Sequence, residues 1–277
     1  MVNPIPPTGC PSEPAPDHPL PEPAPGPAGG ARYVLFDFDG PLVRLFAEHP
    51  APDVARRLLG ELDRHLPGAG LAFTDRSDPH LLVLELPRLL AGLPSPRGVE
   101  AEQLVGRLSQ VLAAEECRAA GTAVSTPGAG RLVAALRRAG CRLAVTSNNA
   151  PEAIHAYLDR EQASGVAAAF REHVYGRSPD PRLMKPDPDC VRRALKGLRC
   201  EDPRRAVLIG DSPSDYEAAT AAGVRFLGFA PTERAAHRLR AAEVPASMTV
   251  GHFADLPRVL ALLTASLQRS NGPGCRS

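Results

Sequence analysis

An apolar run of strand length, Tyr-Val-Leu-Phe at 33–36, passes without a break into Asp37, Phe38, Asp39 and Gly40. Two carboxylates at i and i+2 repel each other and sit badly inside a sheet ladder, where acidic residues are depleted. Just past a strand end, with Gly40 to turn the chain, both can enter one cleft. Different surroundings there can leave one ionised while the other holds a proton. The feature asks for a strand whose carboxyl end opens onto a site. A solvated acidic turn is the other reading of these residues taken alone.

Further strand-length apolar runs stand at 143–145, 207–209 and 226–229, and the first two also lead into polar loops. The segments 131–139, 189–197, 214–222 and 255–263 between and after them have helical spacing. Strands alternating with helices predict an α/β fold with a Rossmann-like parallel sheet and ligands at the strands' carboxyl ends. The interval 50–122 differs. It reads as helices near 53–66, 79–91 and 99–120, although Leu-Leu-Val-Leu-Glu-Leu at 81–86 also has the composition of a strand. The expected organisation is a core over 31–46 and 123–265 with a small helical insertion over 47–122 just after the first strand. Of 31 prolines, 11 fall within residues 1–30, which makes that segment a Pro-rich disordered tail, or a weak docking arm for a proline-reading partner. Residues 266–277 are expected to form a flexible C-terminal tail.

Three more places carry chemistry. The run at 143–146 delivers Ser147 and Asn148, whose hydroxyl and backbone N–H groups suit a phosphate. Lys185, in Leu-Met-Lys-Pro-Asp-Pro, is one of only 2 lysines in a chain that has 30 arginines. A compact ammonium fits a place where one point charge must neutralise a carboxylate and a phosphate together. The other, Lys196, lies on an amphipathic helix and reads as a surface residue. The run at 206–209 ends in Gly210 and Asp211, with Asp215 four residues on at a helix start. Hard carboxylate oxygens there suit Mg²⁺, and helix capping is the competing reading.

In this order and context the four elements resemble the haloacid dehalogenase-like hydrolase superfamily: a strand and DxD, a strand ending in Ser or Thr, a Lys, then a strand and GDxxxD. The resemblance covers roughly residues 31–264. Gly-Asp-Ser-Pro-Ser-Asp at 210–215 and Lys-Pro-Asp-Pro at 185–188 look like its phosphoglycolate phosphatase-like branch, and the insertion resembles that branch's helical C1 cap. The resemblance implies roles. Asp37 would be the nucleophile that forms an aspartyl-phosphate, and Asp39 the general acid and then base. Mg²⁺ would be held by Asp37, the Asp39 carbonyl and Asp211, with Asp215 in support. The Phe38 amide, Ser147, Asn148 and Lys185 would hold the phosphoryl oxygens. Pro41 departs from the family, which usually has Thr or Val there, and it stiffens the hinge between core and insertion.

The implied activity is hydrolysis of a small phosphorylated metabolite, such as phosphoglycolate or a sugar phosphate. A sugar phosphomutase of the same superfamily, or a catalytically silent binding module with a Pro-rich arm, keeps the same residues or the same fold. Asp39 argues against the superfamily's dehalogenases and phosphonatases, which lack it. Other classes fit poorly. Gly-Asp-Ser-Pro partly matches the GDSL esterases, but no DxxH follows. Gly128, Ala129 and Gly130 lack the third glycine of a dinucleotide loop. A net charge of +1, and 8 Arg against 11 Asp/Glu in the insertion, give no surface that tracks nucleic acid. No apolar run approaches the ~18 residues that would cross a membrane. The cysteines are scattered without a CxxC pair, which suits a reducing cytoplasm. His49 at the entrance to the insertion is the one histidine to test for substrate contact. Arg44 and Arg97 near the hinge are candidates to meet an anionic substrate, against surface arginine as the default reading in an Arg-rich chain.

Overall fold

The strand that carries the two carboxylates lies at the centre of the molecule. In the computed structural model, which describes residues 33–93, 98–161, 165–170 and 172–268, β1 (Tyr33–Phe36) is fully covered on both faces. A two-residue strand, β2 (Val43–Arg44), leads into helices α1 (Ala51–His65), α2 (Pro79–Ala91) and α3 (Val99–Thr122), and β3 (Val124–Ser125) pairs antiparallel with β2. The chain then alternates through α4 (Ala129–Arg138), β4 (Arg142–Thr146), α5 (Pro151–Arg160), α6 (Gly165–Phe170), β5 (Val174–Tyr175) and α7 (Asp189–Gly197). It continues with β6 (Ala206–Gly210), α8 (Pro213–Ala221), β7 (Arg225–Phe229), α9 (Glu233–Ala241), β8 (Thr249–Val250) and α10 (Leu256–Gln268).

The main sheet has the order β5-β4-β1-β6-β7-β8, with every pair parallel. The expected Rossmann-like α/β fold is therefore the observed one. Alternation along β1 divides its side chains between two apolar layers. Val34 and Phe36 join Leu132, Ile154 and Phe170 on one face, while Tyr33 and Leu35 join Val191, Leu195 and Ala218 on the other. The chain runs from β1 out to β4 and β5 on one side, then crosses back to β6 on the other side of β1. The crevice at such a switch point is where ligands bind in open α/β sheets.

The insertion helices bury a third apolar cluster of their own, which includes Leu58, Leu62, Leu86, Leu108 and Leu112. Met184 of the core enters this cluster, one residue before Lys185. The run 81–86 is helical, within α2, because Leu82, Val83, Leu86 and Leu90 recur at helical spacing and are all buried. Asp78 caps this helix by accepting from the His80 and Leu81 amides, and Pro79 occupies its first turn. At the other end of the chain α10 runs through Gln268, past Ala265, where the sequence reading ended the core. The Pro-rich residues 1–30 lie outside the described residues, as does Arg97. No helix among the described residues is long and apolar enough to cross a membrane.

Candidate active site

Register explains why distant parts of the sequence meet. Phe36 is level with Val145 on one neighbouring strand and with Ile209 on the other, so Asp37, Thr146–Ser147 and Gly210–Asp211 leave the sheet side by side. Asp37, Ser147 and Asp211, together with Asp39, Lys185 and Asp215, line a pocket of about 250 Å³ under the insertion.

Lys185 is the hub of this cluster. Its Nζ donates to Asp37 Oδ1 at 2.8 Å, to the Thr146 carbonyl at 3.1 Å and to Asp215 Oδ1. The backbone beneath it is fixed by Asn148, whose side chain accepts from Lys185 N at 2.7 Å and donates to Lys185 O at 3.0 Å. The side chain of Asn148 thus positions Lys185, which leaves its backbone N–H as the group for a phosphate. All three N–H bonds of the ammonium are engaged, so a phosphoryl oxygen has to displace one of these acceptors. Ser147 is tied up in a similar way: its Oγ donates to Asn149 Oδ1 at 2.9 Å and accepts from Asn149 N at 3.2 Å. The Phe38 ring is fully buried against Tyr157, so only its backbone can face a ligand.

Asp39 accepts from the Leu45 amide at 2.8 Å, in the tight turn that Thr126 fastens by donating to the Gly40 carbonyl at 2.6 Å. Burial pushes its carboxyl up to about 6, against the opposing pull of the Leu45 N–H. Burial and the neighbouring Asp215 push Asp37 upward as well, and the Lys185 ammonium only partly offsets them. Asp211 is raised by burial and by the carboxylates of Asp215, Asp37 and Asp39. Four acids share one buried ammonium, a deficit that a divalent cation would correct.

The donor set fits such an ion. Asp37, Asp211 and Asp215 each offer an oxygen within 4.8 Å of the others. Both oxygens of Asp215 are already occupied, however. Oδ1 takes Lys185, and Oδ2 takes the amides of Asp211 and Ser212 and the Ser212 hydroxyl at 2.6 Å, as half of the capping box that starts α8. That leaves Asp37 and Asp211 as the carboxylates open to a metal, with Asp215 behind them. The capping reading of Asp215 is realised, and the same side chain also reaches Lys185 in the pocket. Two glycines make this closeness feasible. Gly40 sits at φ +103°, where a Cβ would lie 2.7 Å from Asp211 Cγ, and a Cβ on Gly210 would lie 2.5 Å from Asp215 Cβ.

The family model for "haloacid dehalogenase-like hydrolase" matches residues 31–223. The chain belongs to that family. Among curated relatives, "Phosphoglycolate phosphatase, plasmid" of Cupriavidus necator is 36% identical over 198 residues, which is 69% of this chain and 77% of that protein. "Phosphoglycolate phosphatase" of Caulobacter vibrioides is 29% identical over 247 residues, 86% of this chain and 94% of that one. The crystal structure of CbbY from Rhodobacter sphaeroides in complex with phosphate superposes with a TM-score of 0.56 at 25% identity, over 82% of this chain and 96% of that one. The family's DxD, Ser, Lys and GDxxxD elements stand in this hydrolase at one end of the sheet, on the crevice side.

Two of the three candidate substrate contacts, His49 and Arg44, do not line the pocket. His49 pairs with Glu115 at 2.8 Å. Arg44 is exposed on the β2–β3 ribbon, and Arg97 is outside the described residues. His80 and Arg238 are at the pocket wall instead. His80 Nε2 contacts Glu116 Oε1 at 2.8 Å, and the Arg177 guanidinium grips both Glu116 oxygens at 2.8 and 3.0 Å. Asn149 Nδ2 and the Ala150 amide complete the set at 3.2 and 3.0 Å. Burial would raise the Glu116 carboxyl, but Arg177 and His80 outweigh it and hold it down to about 2. The sequence does carry a trace of this network: Leu108, Leu112, Glu116 and Ala120 recur every four residues, which places a carboxylate on a buried helical stripe.

Proposed function

We propose that this hydrolase is a Mg²⁺-dependent phosphatase acting on a small phosphomonoester, with phosphoglycolate and sugar phosphates as the substrate class. The observation that carries this reading is the convergence of Asp37, Asp39, Lys185 and Asp211 on one pocket. Its volume of about 250 Å³ accommodates a small phosphomonoester. The names of the two phosphatase relatives support the same class.

In this reading an Asp37 oxygen attacks phosphorus in line and the P–O bond to the leaving group breaks, which gives an aspartyl-phosphate. Asp39 gives its proton to the departing oxygen. It then takes a proton from the water that attacks phosphorus and releases Asp37 and inorganic phosphate. Lys185, Ser147 and the amides of Phe38 and Asn148 hold the phosphoryl oxygens. Mg²⁺ on Asp37, the Asp39 carbonyl and Asp211 would supply the positive charge that the acid cluster lacks. The insertion acts as a cap that keeps bulk water from the intermediate and selects the leaving group.

A panel of phosphomonoesters assayed with Mg²⁺ and with a chelator tests the proposal. Hydrolysis of small esters should depend on the metal, because burial and Asp215 push the Asp37 carboxyl upward and a second cation facing it would favour the ionised, nucleophilic form. Equal inertness of the wild type and Asp37→Asn across the panel would sink the reading.

The Asp39 carboxyl gives a pH signature. Raised to about 6, it is protonated below that value and ionised above it. At saturating Mg²⁺, kcat/KM for an alkyl phosphate should fall as pH climbs through about 6, since the alkoxide needs the proton. For p-nitrophenyl phosphate, whose leaving group departs unprotonated, the alkaline limb should flatten. Identical profiles for the two esters would exclude Asp39 as the acid.

A further inference from the structure

Glu116 is fully buried, and the chemistry above makes no use of it. It shares a stripe of α3 with Leu108 and Leu112, where a carboxylate is tolerated only when thoroughly paired. Here the pairing crosses from insertion to core. Glu116 and His80 belong to the insertion, whereas Arg177, Asn149 and the Ala150 amide belong to the core. The orientation of the His80 ring therefore depends on the insertion being seated on the sheet.

The bonding leaves His80 one group to offer. An ionised Glu116 only accepts, so Nε2 of His80 carries a proton and donates to it. Nδ1 is 3.9 Å from Asp78 Oδ1, beyond hydrogen-bond reach, and that oxygen already accepts from the His80 and Leu81 amides. Burial opposes a charge on the ring, but the hydrogen bond and charge of Glu116, with Asp78, outweigh it and raise the His80 pKa. The protonated ring thus stands at the wall of the pocket with an Nδ1–H that no described residue engages. Arg238 of α9 lines the same pocket, and its charge pulls the Asp211 carboxyl downward against the larger upward push of burial and the neighbouring acids. Neither cationic side chain is needed for the transferred phosphoryl group, which Lys185 and the strand-end amides serve.

We propose that His80, held by Glu116, is a specificity-determining residue that receives a second anionic group, a carboxylate or a second phosphate, on the leaving group of the substrate. Glu116 and Arg177 are then positioning residues, and Arg238 supplies further positive potential to the same part of the pocket. The inference rests on the phosphatase reading and narrows it to esters whose alcohol is itself an anion.

Three esters of matched chain length test it: 2-phosphoglycolate with a carboxylate, ethylene glycol bisphosphate with a second phosphate, and 2-hydroxyethyl phosphate with a neutral hydroxyl. The wild type should favour at least one anionic ester over the neutral one by about tenfold or more in kcat/KM, the scale of a charge-assisted hydrogen bond. His80→Gln, which can still donate to Glu116, should reduce that preference to about threefold or less, chiefly through KM. A wild type without preference overturns the inference, as does a His80→Gln variant that loses all three esters in equal proportion. Calorimetric binding of the same esters to Asp37→Asn, with and without His80→Gln, keeps the two readings apart. Selective binding without turnover in the wild type upholds the anion subsite and defeats the phosphatase reading. Turnover with unselective binding does the reverse.

Discussion

Replacing Asp37 by Asn should abolish turnover, with kcat falling by about 10⁴-fold or more, the scale seen when a covalent nucleophile is removed. The fold should survive. In the folded protein burial and Asp215 push the Asp37 carboxyl upward, so its ionisation near neutral pH opposes folding. An amide has no such cost and still offers Lys185 an oxygen to accept its 2.8 Å hydrogen bond. The midpoint of thermal unfolding should therefore hold or rise while activity disappears. A variant that lost activity and stability together would show Asp37 to be a structural acid.

Lys185→Met should do the opposite to stability while also removing activity. Lys185 is 2% exposed and bonds to Asp37, Asp215 and Thr146 at once. Its removal leaves Asp37, Asp211 and Asp215 facing one another without a cation, and breaking a buried pair in this way costs about 3–5 kcal/mol. Turnover should fall by about 10³-fold, since the site loses a fixed positive charge where the transition state is most negative. Mg²⁺ should recover part of the lost melting temperature, because it brings positive charge to the same carboxylates. Thermal melts with and without Mg²⁺, alongside kinetics, measure all three effects. Wild-type stability in Lys185→Met would mean that the cluster is not held together by charge. Asp37 and Lys185 touch each other, yet their substitution should move stability in opposite directions.

Local pattern made much of this legible. β1, β4, β6 and β7 each fall on an apolar run visible in the sequence, and α1, α2, α3 and α7 fall where helical spacing placed them. β5 and β8 were missed because each is a two-residue edge strand, too short to show a period of two. The helices α5, α6 and α9 were missed as well, and with α9 so was Arg238. The Asp, Ser, Lys and Asp residues of the site were readable because each stands immediately beyond a strand or in a distinctive short motif. Lys185 was sharpened by composition, as one lysine among many arginines.

The sequence by itself determined the alternation of strands and helices and which acids stand just beyond the strand ends, because each of these is written within a few neighbouring residues. Tertiary structure alone decided which carboxylates remain open. Asp215 looks like a metal ligand by spacing, but the capping box of α8 and Lys185 use up its oxygens. Tertiary structure also chose His80 over His49. Glu116 and Arg177 are 61 residues apart, and no local pattern signals that they meet. Their pairing arises only when α3 packs against the loops after β4 and β5. There, loss of solvent makes an unpaired charge costly, and the buried Glu116 fixes the ring of His80 at the wall of the pocket.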